Sequence, residues 1–518
     1  MRSVLLLCVL SLPILPVPSV LPVLSAQTFR TDDPVIRKMW DEGMKNSQAA
    51  ALAQVLMDSI GPRLAGSPGY DAAANWLAAT YAKWGVPARK ERYGTWKGWR
   101  WGAVHVDLTA PRTQTLNAHL LAWSAGTRRP IEGAVVQLEG ATKADFERWV
   151  PSAKGKFVLV NPPEFMCRAR QELEKNATPE TVAWVDTVRR TTRTAWGQRV
   201  AYFRGDSAPD LFATLDSAGV AAILTSNWSG GWGATRVFSA PTRSAVAVDL
   251  SCEDYGLVAR LAANNQGPRL RLSAESRELG EVPQFNVIAE IKGSEKPDEY
   301  VLLGAHLDSW HGATGAMDNG TGTIMMLEAM RILKAAYPNP KRTILVGHWG
   351  AEEQGLIGSG AFAEDHPEVL KGMQASFNQD NGTWRVEVVQ PYGYMTGVGN
   401  LARWLSQVPL DITKHLRLAV PGEMENTGSD HSSFLCRGAP GFRLQSAYDE
   451  YRQYTWHTTL DTYDKVVLPD LKNNATLAAM LVYAASEDPE RVTREQAQRK
   501  DQQMQCGTVA RRWGDRDR

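Results

Sequence analysis

The chain has 518 residues, with 57 Lys+Arg against 56 Asp+Glu, 43% hydrophobic and 22% charged residues. That is a globular composition with room for about three domains, so disordered and fibrous classes are excluded. A net charge of +1 argues against a broad electrostatic footprint for nucleic acid or an anionic membrane. None of the five cysteines forms a Cys-x-x-Cys pair, and there are only nine histidines, so a metal site here must draw on carboxylates.

In chain order, Arg2, the apolar run Val4 to Leu24 and the small residues before Gln27 read as a secretory signal ending at Ala26. Pro13, Pro16, Pro18 and Pro22 break the run and argue against a membrane anchor. With no later stretch of 18 apolar residues, the mature protein is expected to be soluble and secreted or periplasmic, without a membrane span. Cys167, Cys252, Cys436 and Cys506 then remain, and three pairings as well as free thiols stay open.

Residues 27–117 read as the N-terminal part of the main domain, where apolar spacing between Ser47 and Trp84 predicts two helices around a turn. From 118 to 273 short β-branched runs such as Lys156 to Val160 and Val220 to Leu224 predict an inserted β-rich domain. Its Arg168 to Arg204 segment reads as a solvated helical excursion. Residues 274–490 alternate strands (Tyr300 to Ala305, Arg342 to Val346, Met373 to Phe377) with helices (Gly320 to Tyr337, Leu356 to Ala363, Leu468 to Ala485). This predicts an α/β fold with a mixed, largely parallel sheet and helices on both faces, with ligands gathered beyond the carboxyl ends of the strands. Residues 491–518 read as a polar tail.

Residues of metal-binding type follow those strands: His306 and Asp308, Glu352 and Glu353, and Asp380, with Asp318 at the next helix start and His457 in a loop before the last helix. Singly, Asp318 reads as a helix cap, Glu352 and Glu353 as a solvated pair and His457 as a surface histidine. Jointly, two imidazoles and three carboxylates suit two zinc ions sharing one carboxylate.

The segments His306 to Trp310, Gly315 to Gly320, Trp349 to Gly355, Asp380 to Thr383, Gly428 to Asp430 and His457 with Asp461-Thr462 together resemble the co-catalytic zinc exopeptidases of clan MH, metallopeptidase family 28. Separations of 12, 35 and 27 residues along His306, Asp318, Glu353 and Asp380 agree with that pattern, and Gly61 to Ser67 is similar to the family's N-terminal segment. The resemblance implies a zinc exopeptidase catalytic domain with a protease-associated insertion at 118–273, and two zinc ions per subunit. One zinc would be held by His306, Asp318 and Asp380, and the other by Asp318, Glu353 and His457. It also implies Glu352 as general base, Asp308 as the carboxylate orienting His306, short peptides or dipeptides as substrates, and a homodimer.

Where the family often has a tyrosine before the last histidine, this chain has Trp456. An indole N–H donates a hydrogen bond but transfers no proton readily, so Trp456 stands as an oxyanion donor or as packing, with Tyr454 and His431 as substitutes. Arg443 and Arg452 are candidates for a substrate carboxylate, with surface ion pairs as the plainer reading, and Asp430 for the pocket or ligand support. Whether carboxypeptidase, aminopeptidase or dipeptidase applies stays open. The insertion is expected to shape or cover the cleft. Of the sequons at Asn176, Asn227, Asn319, Asn381 and Asn474, those at Asn319 and Asn381 read as chance matches inside site loops.

Overall fold

The computed structural model describes residues 31–392, 394, 396–420, 428–448 and 450–495. The expected signal and most of the expected tail lie outside these residues. Among the described residues no helix is long and apolar enough to cross a membrane.

The strands Val301, Leu302 and Leu303 on Lys296–His306 and Ile344, Leu345 and Val346 on Arg342–Trp349 are apolar on both faces and buried on both. Such strands belong in the middle of a covered parallel sheet. Lys296–His306 lies parallel to Arg342–Trp349 on one side and to Met373–Gln379 on the other, and Gly441–Ser446 continues the parallel run. Antiparallel strands close both flanks, Arg269–Ile291 beside Arg342–Trp349 and Val386–Gln390 beside Gly441–Ser446. The sheet is thus mixed and largely parallel at its centre.

Helix Thr321–Ala336 is buried around its whole circumference from Thr321 to Leu333, so it is a core helix rather than an amphipathic surface one. Together with Leu468–Glu487 it covers one face of the sheet through a single apolar cluster. Each fully buried Leu, Ile or Met in that cluster contributes roughly 1.5–3 kcal/mol.

The inserted region departs from the β-rich expectation. Its strands Ile131–Gln137, Phe157–Leu159, Ala222–Thr225 and Val246–Leu250 are three to seven residues long and pair in parallel. Helices Lys143–Ala153, Arg170–Asn176, Pro179–Arg199, Leu211–Ser217 and Cys252–Ala263 surround them. Parallel strands need crossover helices, which makes the region α/β. The polar excursion is helical, as its composition suggested. Two 23-residue strands, Ala88–Ala110 and Arg269–Ile291, pair antiparallel along almost their whole length and lead from the main sheet into the insertion. The second runs through the expected boundary at residue 273.

Cys167 and Cys252 form a disulfide that ties the helical excursion to helix Cys252–Ala263. Residues 491–495 are not frayed. Val492 is buried in the main core, and the Arg494 guanidinium donates to the carbonyls of Leu370, Met373 and Gly438.

Candidate active site

The carboxyl ends of the three central parallel strands bring the expected residues together. His306 is the last residue of its strand and fully buried. Its Nε2 lies 3.1 Å from Asp380 Oδ1 and 3.4 Å from Asp318 Oδ1. His457 Nε2 lies 3.2 Å from the other Asp318 oxygen and 2.8 Å from Glu353 Oε2. Asp318 therefore turns one carboxylate oxygen to each imidazole. Two groups able to hold a cation result, His306 with Asp318 and Asp380, and Asp318 with Glu353 and His457, the ligand atoms of each lying within 4.8 Å of one another.

Local structure explains these placements. Asp318 is not a helix cap. Its backbone is non-helical (φ −127°, ψ 89°) and it precedes the helix beginning at Thr321. The Asp461 carboxylate accepts from the backbone N–H groups of Met317 at 2.6 Å and Asp318 at 3.0 Å, which aims the Asp318 side chain into the site. Gly315, at φ 60°, makes the preceding turn where a Cβ would lie 2.3 Å from that of Ser309, so glycine is required there. Ala351 adopts φ 54° immediately before Glu352 and Glu353, a left-handed conformation that costs about 1 kcal/mol or more and persists where the surroundings over-determine it.

The role expected for Asp308 differs in one respect. His306 Nδ1 is 3.0 Å from the backbone carbonyl of Asp308 and 3.6 Å from its carboxylate. The carbonyl orients the ring, while the carboxylate accepts from the backbone N–H groups of Glu352 at 3.1 Å and Glu353 at 3.3 Å. One residue thus ties two ligand-bearing loops together.

Electrostatics mark the site as one that favours a cation. Burial, reinforced by Asp380, Asp430 and Glu353, pushes the Glu352 carboxyl well above its usual range, against the pull of His306. Burial likewise raises Glu353 to about 7. Burial alone would lower His457, but Glu353 and Asp318 lift it to about 9. The Glu353 Oε1 atom is buried with no hydrogen-bond partner among the described residues. A set of buried carboxylates and imidazoles with an unsatisfied oxygen is chemically suited to divalent zinc.

The site opens into a cavity of about 250 Å³ lined by the ligand carboxylates, His457, Glu352, Arg443, Arg452, Tyr448, Tyr451 and Trp456, at the small end of ligand sites. Arg443 is not a surface ion pair. Its guanidinium reaches the Tyr448 hydroxyl and, at 3.4 Å, the Asp380 carbonyl. Arg452 lies 4.3 Å over the Trp456 ring, and no ion pair of Arg452 is found among the described residues. Trp456 stacks on His457 with centroids 3.9 Å apart.

Other expectations are not met. Asp430 is fully buried and absent from the cavity wall, and burial pushes it up to about 8. Tyr454 is 41% exposed with its ring against Gly231, and His431 is buried in a stack on Tyr392. Neither lines the cavity. Tyr451, missed from the sequence, does, and the carboxylates of Asp318, Asp380 and Glu353 help burial hold its phenol well above 10. Arg63 was missed as well. Fully buried, it donates to the carbonyls of Gly61, Leu307, Thr314 and Gly315 under the ligand loops. Asn319, Asn381 and Asn474 are buried with their amides hydrogen-bonded to backbone carbonyls, so none of them can accept a glycan in the folded chain.

Known proteins resemble this chain in sequence and in fold. The sequence model described as peptidase family M28 matches residues 286–482, the segment that carries every candidate ligand. Carboxypeptidase Q from Homo sapiens is 25% identical over 443 residues, covering 85% of each chain, and the Rattus norvegicus protein is equally similar. Among solved structures, a peptidase M28 precursor from Shewanella amazonensis has a TM-score of 0.66 at 22% identity, covering 90% of this chain and 98% of its own. A zinc aminopeptidase from Bacillus subtilis has a TM-score of 0.54 at 19% identity, covering 86% and 96%. These likenesses confirm the α/β fold. With the family-model match over residues 286–482 and the curated relatives, they mark the chain as a metallopeptidase similar to peptidase family M28.

Proposed function

We propose that the protein is a secreted di-zinc exopeptidase that removes or separates residues of short peptides at their C-terminal end, in the manner of a carboxypeptidase or dipeptidase. The observation that carries the metal reading is the two ligand groups sharing Asp318, one oxygen turned to each histidine. His306, Asp318 and Asp380 would hold one zinc, and Asp318, Glu353 and His457 the other. Zinc held there would supply Lewis acidity, easing loss of a proton from water so that a hydroxide nucleophile is available at neutral pH, and polarising the scissile carbonyl.

The chain's own residues do the rest. Glu352 lines the same cavity but belongs to neither ligand group, which leaves its carboxylate to take the attacking water's proton and pass it to the leaving nitrogen. Such general acid–base work is worth about 10²–10⁴ in rate. The Asp308 carboxylate holds the backbone of Glu352 for this transfer. The Tyr451 hydroxyl, which lines the same cavity, would serve as a side-chain donor to a carbonyl oxygen gaining charge.

Direction of attack follows from charge. Arg452 lines the cavity beside the ligands and has no acidic partner among the described residues, so a substrate's free carboxylate pairs with it. Arg443 also lines the cavity, from behind Asp380. The apolar, proline-broken N-terminal run supports export.

The test is Glu352→Gln on a dipeptide panel that includes N-blocked and C-amidated forms. Hydrolysis is expected to fall by about 10²–10⁴ while zinc content stays at two per chain. Unchanged turnover would remove Glu352 from the mechanism. Loss of activity on amidation alone marks a carboxypeptidase, and loss on both modifications a dipeptidase. Loss on N-blocking alone would overturn the proposed polarity in favour of an aminopeptidase.

A further inference from the structure

We propose that the inserted region is a positioning element for the second metal group, holding His457 in its ligating pose through residues Thr235 to Phe238. This rests on the ligand assignment above. A metal-binding histidine usually donates its outer ring nitrogen to a carboxylate or carbonyl, which fixes the ring. His306 follows that rule. His457 does not, because its Nδ1 is buried with no hydrogen-bond partner among the described residues.

The ring is held by aromatic walls instead. Trp456 stacks on one side, and Phe238 from the insertion meets the ring edge-on with centroids 5.4 Å apart. The backbone is held from the same direction. His457 sits at φ 59°, which a non-glycine residue adopts at a cost. Its carbonyl accepts from Val237 N–H at 2.9 Å, and Thr459 N–H donates to the Thr235 carbonyl at 3.1 Å. Arg236 and Thr458 thereby form a short antiparallel bridge between the two regions.

The clamp is anchored in the insertion's own sheet. Asp249, fully buried on strand Val246–Leu250, accepts from the Thr235 hydroxyl, the Thr225 hydroxyl and both the backbone and side-chain N–H groups of Asn227. Among the described residues Asp249 has no cationic partner, and these donors offset the cost of burying it. Here they fix the loop whose far end grips the peptide of His457. A cover over the cleft would need only rim contacts, whereas these contacts end on the ligand's own carbonyl and ring.

The experiment uses the full chain with Phe238→Ala, Phe238→Leu and Thr235→Val. Zinc stoichiometry and affinity are read by competition with a chelating indicator, alongside kcat and KM on a dipeptide. One of the two zinc ions is expected to bind about 10–100-fold more weakly in Phe238→Ala and Thr235→Val, with the other unchanged. The activity loss should fall in kcat, recover as free zinc is raised, and be small in Phe238→Leu. If both ions bind as in the parent and only KM rises, the insertion merely shapes the cleft and the inference fails while the di-zinc reading stands. A parent that binds fewer than two zinc ions overturns the ligand assignment itself, and the inference with it. Should Phe238→Ala not fold, Thr235→Val, which changes one hydroxyl to a methyl, decides alone.

Discussion

His306 and His457 occupy equivalent places in the two ligand groups, yet they are supported in opposite ways. His306 ends a central strand, is fully buried, and has its outer nitrogen satisfied by the next turn of its own chain. Its carbonyl also accepts from the Thr323 hydroxyl at 2.8 Å. His457 lies in a loop, adopts a left-handed backbone, and owes both its carbonyl bond and one ring wall to residues more than 200 positions away. A ligand placed by a strand inherits the precision of the sheet, while one placed by a loop must borrow it.

The sharpest way to test that contrast is through the two arginines that serve the two sides. Arg63 is fully buried beneath the strand-held side and satisfies four backbone carbonyls, with Asp461, Asp308 and Asp318 keeping it charged against the cost of burial. Arg63→Met should cost about 3–5 kcal/mol in urea unfolding, since it orphans several buried acceptors and nearby carboxylates at once. Arg236 on the loop-held side is half-buried, with a cation–π contact to Trp456 at 5.0 Å and one bond to the Arg452 carbonyl. Arg236→Met should cost only about 1 kcal/mol. Equal losses would mean that the two sides are equally rigid.

Next in size is Asp308→Asn. Because the carbonyl rather than the carboxylate orients His306, the substitution should leave zinc affinity on that side intact. It weakens the bonds to the Glu352 and Glu353 backbone instead. The expected result is a fall of about 10–100-fold in kcat, read beside an unchanged first zinc. A matching loss of that zinc would return the orienting role to the carboxylate.

The candidate ligands were legible because the fold rule concentrates such residues after strand ends, and the strands around Leu303, Leu345 and Phe377 announce themselves by apolar runs. The roles of their partners were not, although the segments holding Arg63 and Asp461 were among those that resemble the family. Arg63 and Asp461 act on the site from segments nearly 400 residues apart, and Thr235 to Phe238 reaches it across a domain boundary, so no local pattern connects them. Helix Cys252–Ala263 carries Tyr255, Val258 and Ala259 on one buried side at helical spacing, a period overlooked beside the β-branched runs. The paired 23-residue strands stayed hidden because Gly98, Gly102 and Gly280 and scattered charges interrupt their alternation. Only pairing across nearly 180 residues makes them one ribbon.

The smallest effect concerns acid and falls on the strand-held side. His348, fully buried on Arg342–Trp349, has Nε2 2.7 Å from the Tyr81 hydroxyl, and burial lowers its pKa from 6.5 to about 3. The folded chain therefore binds fewer protons here than the unfolded chain between about pH 3 and 6.5. Stability from this group is fully present above pH 6.5 and is lost as pH falls, at about 1.4 kcal/mol per unit. Between pH 6.5 and 5.5 the parent should lose about 1 kcal/mol from His348, because the full slope is reached only below the unfolded pKa, and His348→Gln should lose correspondingly less over the same interval in urea titrations. An unchanged slope would show that His348 is not the acid-labile point.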